Sequence, residues 1–149
     1  MRLEILVPHD LGPAADDALG WAERLVRASG GSIDVLHVVS FVPPLLSSAP
    51  VAGSGPLGSD DLEGYRTAVM DRVRGLGVPT HVEVTVAADI GEAIVLRARR
   101  RGADMVVMGT HGRNPFARAL LGSIADYVTR HADCPVLTVR HKPVQEPVG

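Results

Sequence analysis

Residues 103–113 read Ala103-Asp104-Met105-Val106-Val107-Met108-Gly109-Thr110-His111-Gly112-Arg113, and nine residues after Gly112 the chain resumes with Gly122-Ser123 and a stretch of helical character. A short run of branched apolar residues with little polar alternation suits a strand covered on both faces. The glycines that follow release the chain into a loop, and Ser123 to His131 carries the next helix. A buried strand, a glycine-rich turn and a helix are the repeating unit of a parallel α/β sheet.

The same alternation extends in both directions. Toward the N-terminus, residues 3–8 (Leu3-Glu4-Ile5-Leu6-Val7-Pro8) form an apolar strand. It leads into a helix that starts near Pro13, repeats Ala15, Ala18, Leu19, Ala22, Leu25 and Val26 on one face, and stops at Gly30-Gly31. Ile33 to Val39 is a second strand, and a helix over about 60–76 follows. Thr80 to Ala87 sets Val82, Val84 and Val86 against His81, Glu83 and Thr85, which predicts an edge strand with one wet face. Asp89 and Glu92 have capping-box spacing ahead of a helix closed by Gly102, and Pro135 to Val139 is the fifth strand. The expected fold is a three-layer α/β sandwich, a parallel sheet with helices on both faces joined by right-handed crossovers.

Domain organisation follows from length. With 149 residues, the chain is expected to hold one domain over residues 1–142, with residues 41–59, rich in Pro, Ser and Gly, as a long flexible loop and 143–149 as a tail. A formal net charge of −2 and a mean hydropathy of +0.16 argue against a nucleic-acid or membrane-surface binder, which needs a basic face. Five aromatic residues are too few for base-stacking platforms. The apolar start is too short for a secretory core, and glycines and prolines break the uncharged 35–59 stretch before spanning length, so a cytoplasmic protein is expected. The single Cys134 builds no disulfide framework and is read as a packed thiol.

Two strand ends stand out chemically: the first runs into His9-Asp10-Leu11-Gly12, the fourth into Gly109-Thr110-His111-Gly112-Arg113. In doubly wound sheets ligands bind beyond the carboxyl ends of strands where the order reverses, so neighbouring first and fourth strands would bring a carboxylate and a glycine loop to one crevice. Backbone N–H groups in a glycine loop and at a helix N-terminus favour phosphate, with Ser123 as a further donor and Arg113 or Arg118 as charge partners. The same residues also serve as turn glycines, with Ser123 as an N-cap helped by Asp126. Neither a Gly-x-Gly-x-x-Gly after the first strand nor a Gly-Lys-Ser/Thr occurs, and the only lysine is Lys142, so a P-loop phosphotransferase lacks its cation. His9 and His111 near the crevice lack metal-ligand spacing, and no metal site is expected. Arg97, Arg99, Arg100 and Arg101 close the third helix at the opposite end of the sheet and are read as complementing its dipole.

These motifs, with Leu120-Leu121-Gly122-Ser123, Arg130-His131-Ala132-Asp133-Cys134-Pro135-Val136-Leu137-Thr138-Val139, the opening Ile5-Leu6-Val7-Pro8 with Asp10, and Val35-Leu36-His37-Val38, resemble the universal stress protein family over residues 2–141. The match includes the Gly-x2-Gly-x9-Gly-Ser pattern of that family's ATP-binding subfamily. The resemblance implies a five-stranded sheet of order 3-2-1-4-5, ATP with Mg2+ as an optional companion, a stress-response regulatory role and a homodimer. Carried over by position, Pro8, Asp10 and Val38 would line the adenosine end, and Met108, Gly109, Gly112, Arg113, Gly122, Ser123 and Ile124 would hold ribose and phosphates. Leu11-Gly12, Ala88 and Asn114-Pro115 depart from the family's frequent residues, the first and third at places that touch ribose or phosphate.

The expected function is therefore an ATP-binding regulatory protein whose bound state is read by a dimer or by another, unspecified protein partner. A slow ATPase or autophosphorylating protein, using Ser123 or Thr110, is the enzymatic alternative, and a structural dimer without nucleotide is the third. Dimerisation is expected through strand 135–139, which is short, apolar and at a sheet edge in that order.

Overall fold

A computed structural model describes residues 1–41, 58–111 and 121–142. The elements are β1 (Glu4–Pro8), α1 (Pro13–Ser29), β2 (Ser32–Ser40), α2 (Ser59–Val73), β3 (Thr80–Ala87), α3 (Ile90–Arg101), β4 (Met105–Gly109), α4 (Ser123–His131) and β5 (Val136–Val139). All strand pairs are parallel, in the order β3-β2-β1-β4-β5. Most of the predicted 41–59 loop, the stretch from Gly112 to Leu120 that includes Arg113 and Arg118, and the 143–149 tail lie outside the described residues.

The period-2 geometry of the central strands sorts their side chains into two cores. Ile5, Val7, Ile33, Val35 and Val107 face Ala18, Leu19, Ala22 and Val26 of α1 and Val69 of α2. Leu6, Leu36, Val106 and Met108 face Ile94, Val95 and Ala98 of α3 and Ala125 and Val128 of α4. Leu6 of β1 sits opposite Val106 of β4, and Pro8 opposite Leu36 of β2, which sets the strand ends side by side at one rim of the sheet.

Helix ends follow local chemistry. Pro13 opens α1, and Gly30 closes it at φ 73, a left-handed conformation glycine adopts without steric cost. The Asp89 side chain accepts the Glu92 N–H and caps α3, while Gly102 ends it at φ 61. The helix expected as far as residue 76 is shorter: α2 stops at Val73, because Arg74 is extended and Gly75 turns at φ 96.

The alternation in β3 is only partly reflected in burial. Val82 is buried, but Val84 is intermediate and Val86 is 40% exposed. The strand lies at the sheet edge, and α2 contributes a single buried residue, Val69, so its cover does not extend along the whole apolar face of β3.

Candidate functional site

Order 3-2-1-4-5 places the switch point between β1 and β4, and a cavity of about 380 Å³ opens there. That volume falls within the range of small-molecule sites. Its walls are largely apolar: Leu36 and Val38 from β2, Ile90 and Ile94 from α3, Met108 from β4 and Ala15 from α1. Polar residues also line it, among them Asp10, Thr110 and Ser123.

Of the residues assigned from sequence, Pro8, Asp10, Val38, Met108, Gly109, Gly122, Ser123 and Ile124 all line this one cavity. Gly112 and Arg113 lie outside the described residues. His9, Ala15, Leu36, Ile90, Ile94, Thr110, His111 and Ala125 also line it. Leu36, Ile94 and Ala125 carry no individual signal in sequence, because each is an apolar residue continuous with the core below.

Two glycines are required by close backbone approach. A Cβ at Gly109 would meet the Ala14 Cβ at 2.8 Å, so α1 packs directly on the end of β4. A Cβ at Gly122 would lie 2.8 Å from the Thr110 carbonyl oxygen, the same atom that accepts the Gly122 N–H at 2.7 Å. This bond ties the start of α4 to the end of β4 across the cavity mouth.

The reading of Ser123 as an N-cap is corrected. Gly122 is the cap, and Ser123 is the first helical residue. Glycine has no side chain to bond the first-turn amides, and no side-chain cap is present. The first intrahelical bond runs from Asp126 N–H to Gly122 O, which leaves the Ser123, Ile124 and Ala125 N–H groups outside the helical ladder. All three residues line the cavity, so donors outside the ladder and the positive end of the α4 dipole sit at its mouth.

The opposite lip is the turn between β1 and α1. The Gly12 N–H donates to Asp10 Oδ1 at 2.8 Å, fixing that carboxylate. His9 is 3% exposed. Its Nδ1 accepts the Leu11 N–H at 3.0 Å, which makes Nε2 the protonated nitrogen, and Nε2–H donates to Asp16 Oδ1 at 2.9 Å. Burial pushes the His9 imidazole below its usual 6.5, against the pull of Asp16 and Asp10. His37 Nδ1–H donates to the His9 carbonyl at 2.7 Å, and the His37 ring packs on Tyr65 of α2. His111 Nδ1 lies 2.9 Å from Thr110 Oγ1, and its buried Nε2 has no hydrogen-bond partner among the described residues.

Other candidates resolve into structural roles. Arg97 makes paired bonds of 2.7 and 2.9 Å to Asp34, Arg101 approaches the same carboxylate at 3.6 Å, and Arg99 binds Asp133 at 2.6 Å. Three of the four arginines of the run are thus engaged away from the cavity. Asp126 pairs with Arg130. Burial raises the Cys134 thiol above its usual range, which disfavours a reactive thiolate. Among the described residues no three His, Cys, Asp or Glu side chains cluster at metal-binding distance, and no helix is long and apolar enough to cross a membrane.

Comparison with known proteins agrees with this architecture. A universal stress protein of Methanocaldococcus jannaschii is 31% identical over 147 residues, covering 96% of this chain and 84% of the relative. Among solved structures, the universal stress protein UspA of Lactobacillus plantarum superposes with a TM-score of 0.74 at 23% identity, over 94% of this chain and 99% of the other. A universal stress protein of Archaeoglobus fulgidus solved in complex with dAMP gives 0.67 at 19% identity, covering 93% and 98%. One of Arabidopsis thaliana with AMP bound gives 0.61 at 18% identity, covering 98% and 96%. Together with the match of residues 1–140 to the model of the Universal stress protein family, the sheet order and the glycine-capped crevice make this chain a member of the universal stress protein family.

Proposed function

We propose that this chain is an adenine-nucleotide-binding regulatory protein of the stress response, with ATP as its ligand in the crevice between β1 and β4. The observation that carries the reading is the pairing of an apolar slot with an uncapped helix start. Leu36, Val38, Ile94 and Met108 offer a planar base a desolvated wall, and the first-turn amides of Ser123, Ile124 and Ala125 offer phosphate oxygens donors and a favourable dipole. Structural relatives solved with dAMP and AMP support the choice of adenine. Pro8, Asp10 and Val38 take the adenosine end. Met108, Gly109, Gly122, Ser123 and Ile124, with Gly112 and Arg113 from the adjoining segment, take ribose and phosphates.

Residues 1–142 act in this reading as one binding domain, and two copies pair through β5. That strand ends the sheet, and Leu137 on it is 37% exposed. An edge with unpaired backbone groups accepts a second strand.

Mass spectrometry of the small molecules released from freshly purified protein tests the proposal, together with thermal shifts on adding ATP, AMP and GTP. Adenine nucleotide in the released fraction and a shift with ATP exceeding that with GTP are expected. No nucleotide and no shift with any of the three would overturn it.

A further inference from the structure

Among the described residues, Leu11 alone of the non-glycines has a positive φ, 66°. It stands between Asp10 and Gly12 in the turn at the crevice mouth. In this left-handed region a Cβ crowds the neighbouring carbonyl, whereas glycine enters it freely. The conformation therefore needs support from its surroundings.

That support is a closed ring of hydrogen bonds. The Leu11 N–H donates to His9 Nδ1 at 3.0 Å, and His9 Nε2–H donates to Asp16 Oδ1 at 2.9 Å. The guanidinium of Arg72, in the last turn of α2, donates to Asp16 Oδ2 and, through Nη2, to the Leu11 carbonyl at 3.1 Å. Both backbone polar groups of the strained residue are thus held by side chains linked to each other. No residue of α2 lines the cavity, yet α2 reaches its lip through Arg72.

We propose that His9 and Arg72 are positioning residues for the nucleotide loop: by pinning Leu11 in its left-handed conformation, they hold the Asp10 carboxylate at the crevice mouth. The ring requires a neutral imidazole, because a proton on Nδ1 would face the Leu11 N–H. The groups facing His9 are Asp10 beside it, Asp16 from α1, Arg72 from α2 and His37 from β2, and burial outweighs the two carboxylates, so the ring is in its bonded form at neutral pH. The inference rests on the nucleotide reading of the crevice and adds to it a control point on α2.

The test is ATP titration of the full chain by calorimetry at pH 7.5. His9→Ala should weaken binding by about tenfold, the scale of a hydrogen bond made by a buried side chain, and Arg72→Met, which removes exposed bonds, by about two- to threefold. His9→Asn, whose side-chain oxygen still accepts the N–H two residues on, should recover most of the affinity. His9→Gln, able to reach Asp16 but not Leu11, should not. In a Leu11→Gly background, where the conformation no longer needs support, His9→Ala should cost less than about twofold. Equal losses from His9→Ala in the wild-type and Leu11→Gly backgrounds, or a His9→Asn protein as weak as His9→Ala, would overturn the proposal. If the wild-type chain binds no adenine nucleotide, the nucleotide reading fails. The ring is then judged by melting temperatures: Leu11→Gly should cancel the loss caused by His9→Ala, and strict additivity would refute it.

Discussion

Replacing Gly122 by alanine tests the geometry of the crevice directly. The backbone there has φ −59 and ψ 153, which any residue adopts, so the substitution adds no dihedral strain. Its cost is one contact. The new methyl would lie 2.8 Å from the Thr110 carbonyl oxygen and 3.5 Å from the His111 Cα, both backbone atoms that cannot swing aside. Relieving the overlap by about half an ångström stretches the 2.7 Å bond from Gly122 N–H to Thr110 O toward the limit of useful geometry. Loss of that bond costs about 1 kcal/mol, and forcing an extra carbon into a packed site costs about 1–3 kcal/mol. A stability loss of about 2–4 kcal/mol corresponds to a melting-temperature drop of about 4–15 °C in a chain of this size.

Nucleotide binding should suffer separately, because the displaced segment carries the Ser123, Ile124 and Ala125 amides. Losing one charge-assisted bond to phosphate is worth about 1.5–3 kcal/mol, a weakening of about 10- to 100-fold. Calorimetry with ATP reads the affinity, and scanning fluorimetry without ligand reads the stability. Gly20→Ala is the control: its Cβ meets no atom within 4 Å in α1, and alanine in a helix should raise stability by about 0.5–1 kcal/mol with affinity unchanged. Wild-type melting and wild-type ATP affinity in Gly122→Ala would refute the close-approach argument.

Further outcomes follow from the two cores and the buried charges. Asp34→Asn should cost about 3 kcal/mol in urea unfolding, since it removes the buried carboxylate that pairs with the half-buried Arg97. Burial acts to raise the Asp34 carboxyl, but the Arg97 and His81 bonds and the nearby Arg101 outweigh it and hold the acid below its ordinary 3.8. Its stabilisation is therefore complete above about pH 4 and lost as pH falls through the lower folded value, a slope that should vanish in Asp34→Asn. For His9, whose folded value burial places below 6.5, the unfolded chain takes up the proton first. Stability should fall as pH drops below about 6.5, and urea midpoints of His9→Asn should lack that step. Leu6→Ala, at a side chain with 0% exposure, should lose about 2–5 kcal/mol by cavity formation, measured by chemical unfolding. Under the proposed pairing through β5, Leu137→Lys should shift sedimentation from dimer to monomer and leave the thermal response to ATP unchanged.

Most of the architecture was legible because its signals are local. Residues 80–87 and 123–131 match β3 and α4 to the residue, and Pro13, Gly30 and Gly102 sit where their backbone preferences put them. The end of α2 was missed because its sequence continues apolar through Leu76 while the turn is set by Gly75. The glycine spacing marked Gly109, Gly122 and Ser123, and the family resemblance added Val38 and Met108 from the apolar wall, whereas Leu36 and Ile94 escaped because they look like core residues in any strand or helix. Asp34 gave no sign of its pairing. In Ile33-Asp34-Val35 it reads as an isolated polar interruption, and its partners Arg97 and Arg101 are more than sixty positions away. The support of Leu11 is equally non-local, because Arg72 reaches it across the whole of α1 and β2 in sequence.

The thin anchoring of α2 has a dynamic consequence. Val69 is its only buried residue, with Val73 partly covered, whereas α1 buries six. Amide exchange should accordingly proceed through local opening of α2 at a free-energy cost well below that of global unfolding, while α1 amides exchange only with the whole molecule. Each such opening removes Arg72 from Leu11, so the lifetime of the ordered crevice lip is bounded by the opening rate of a helix that lines no part of the cavity.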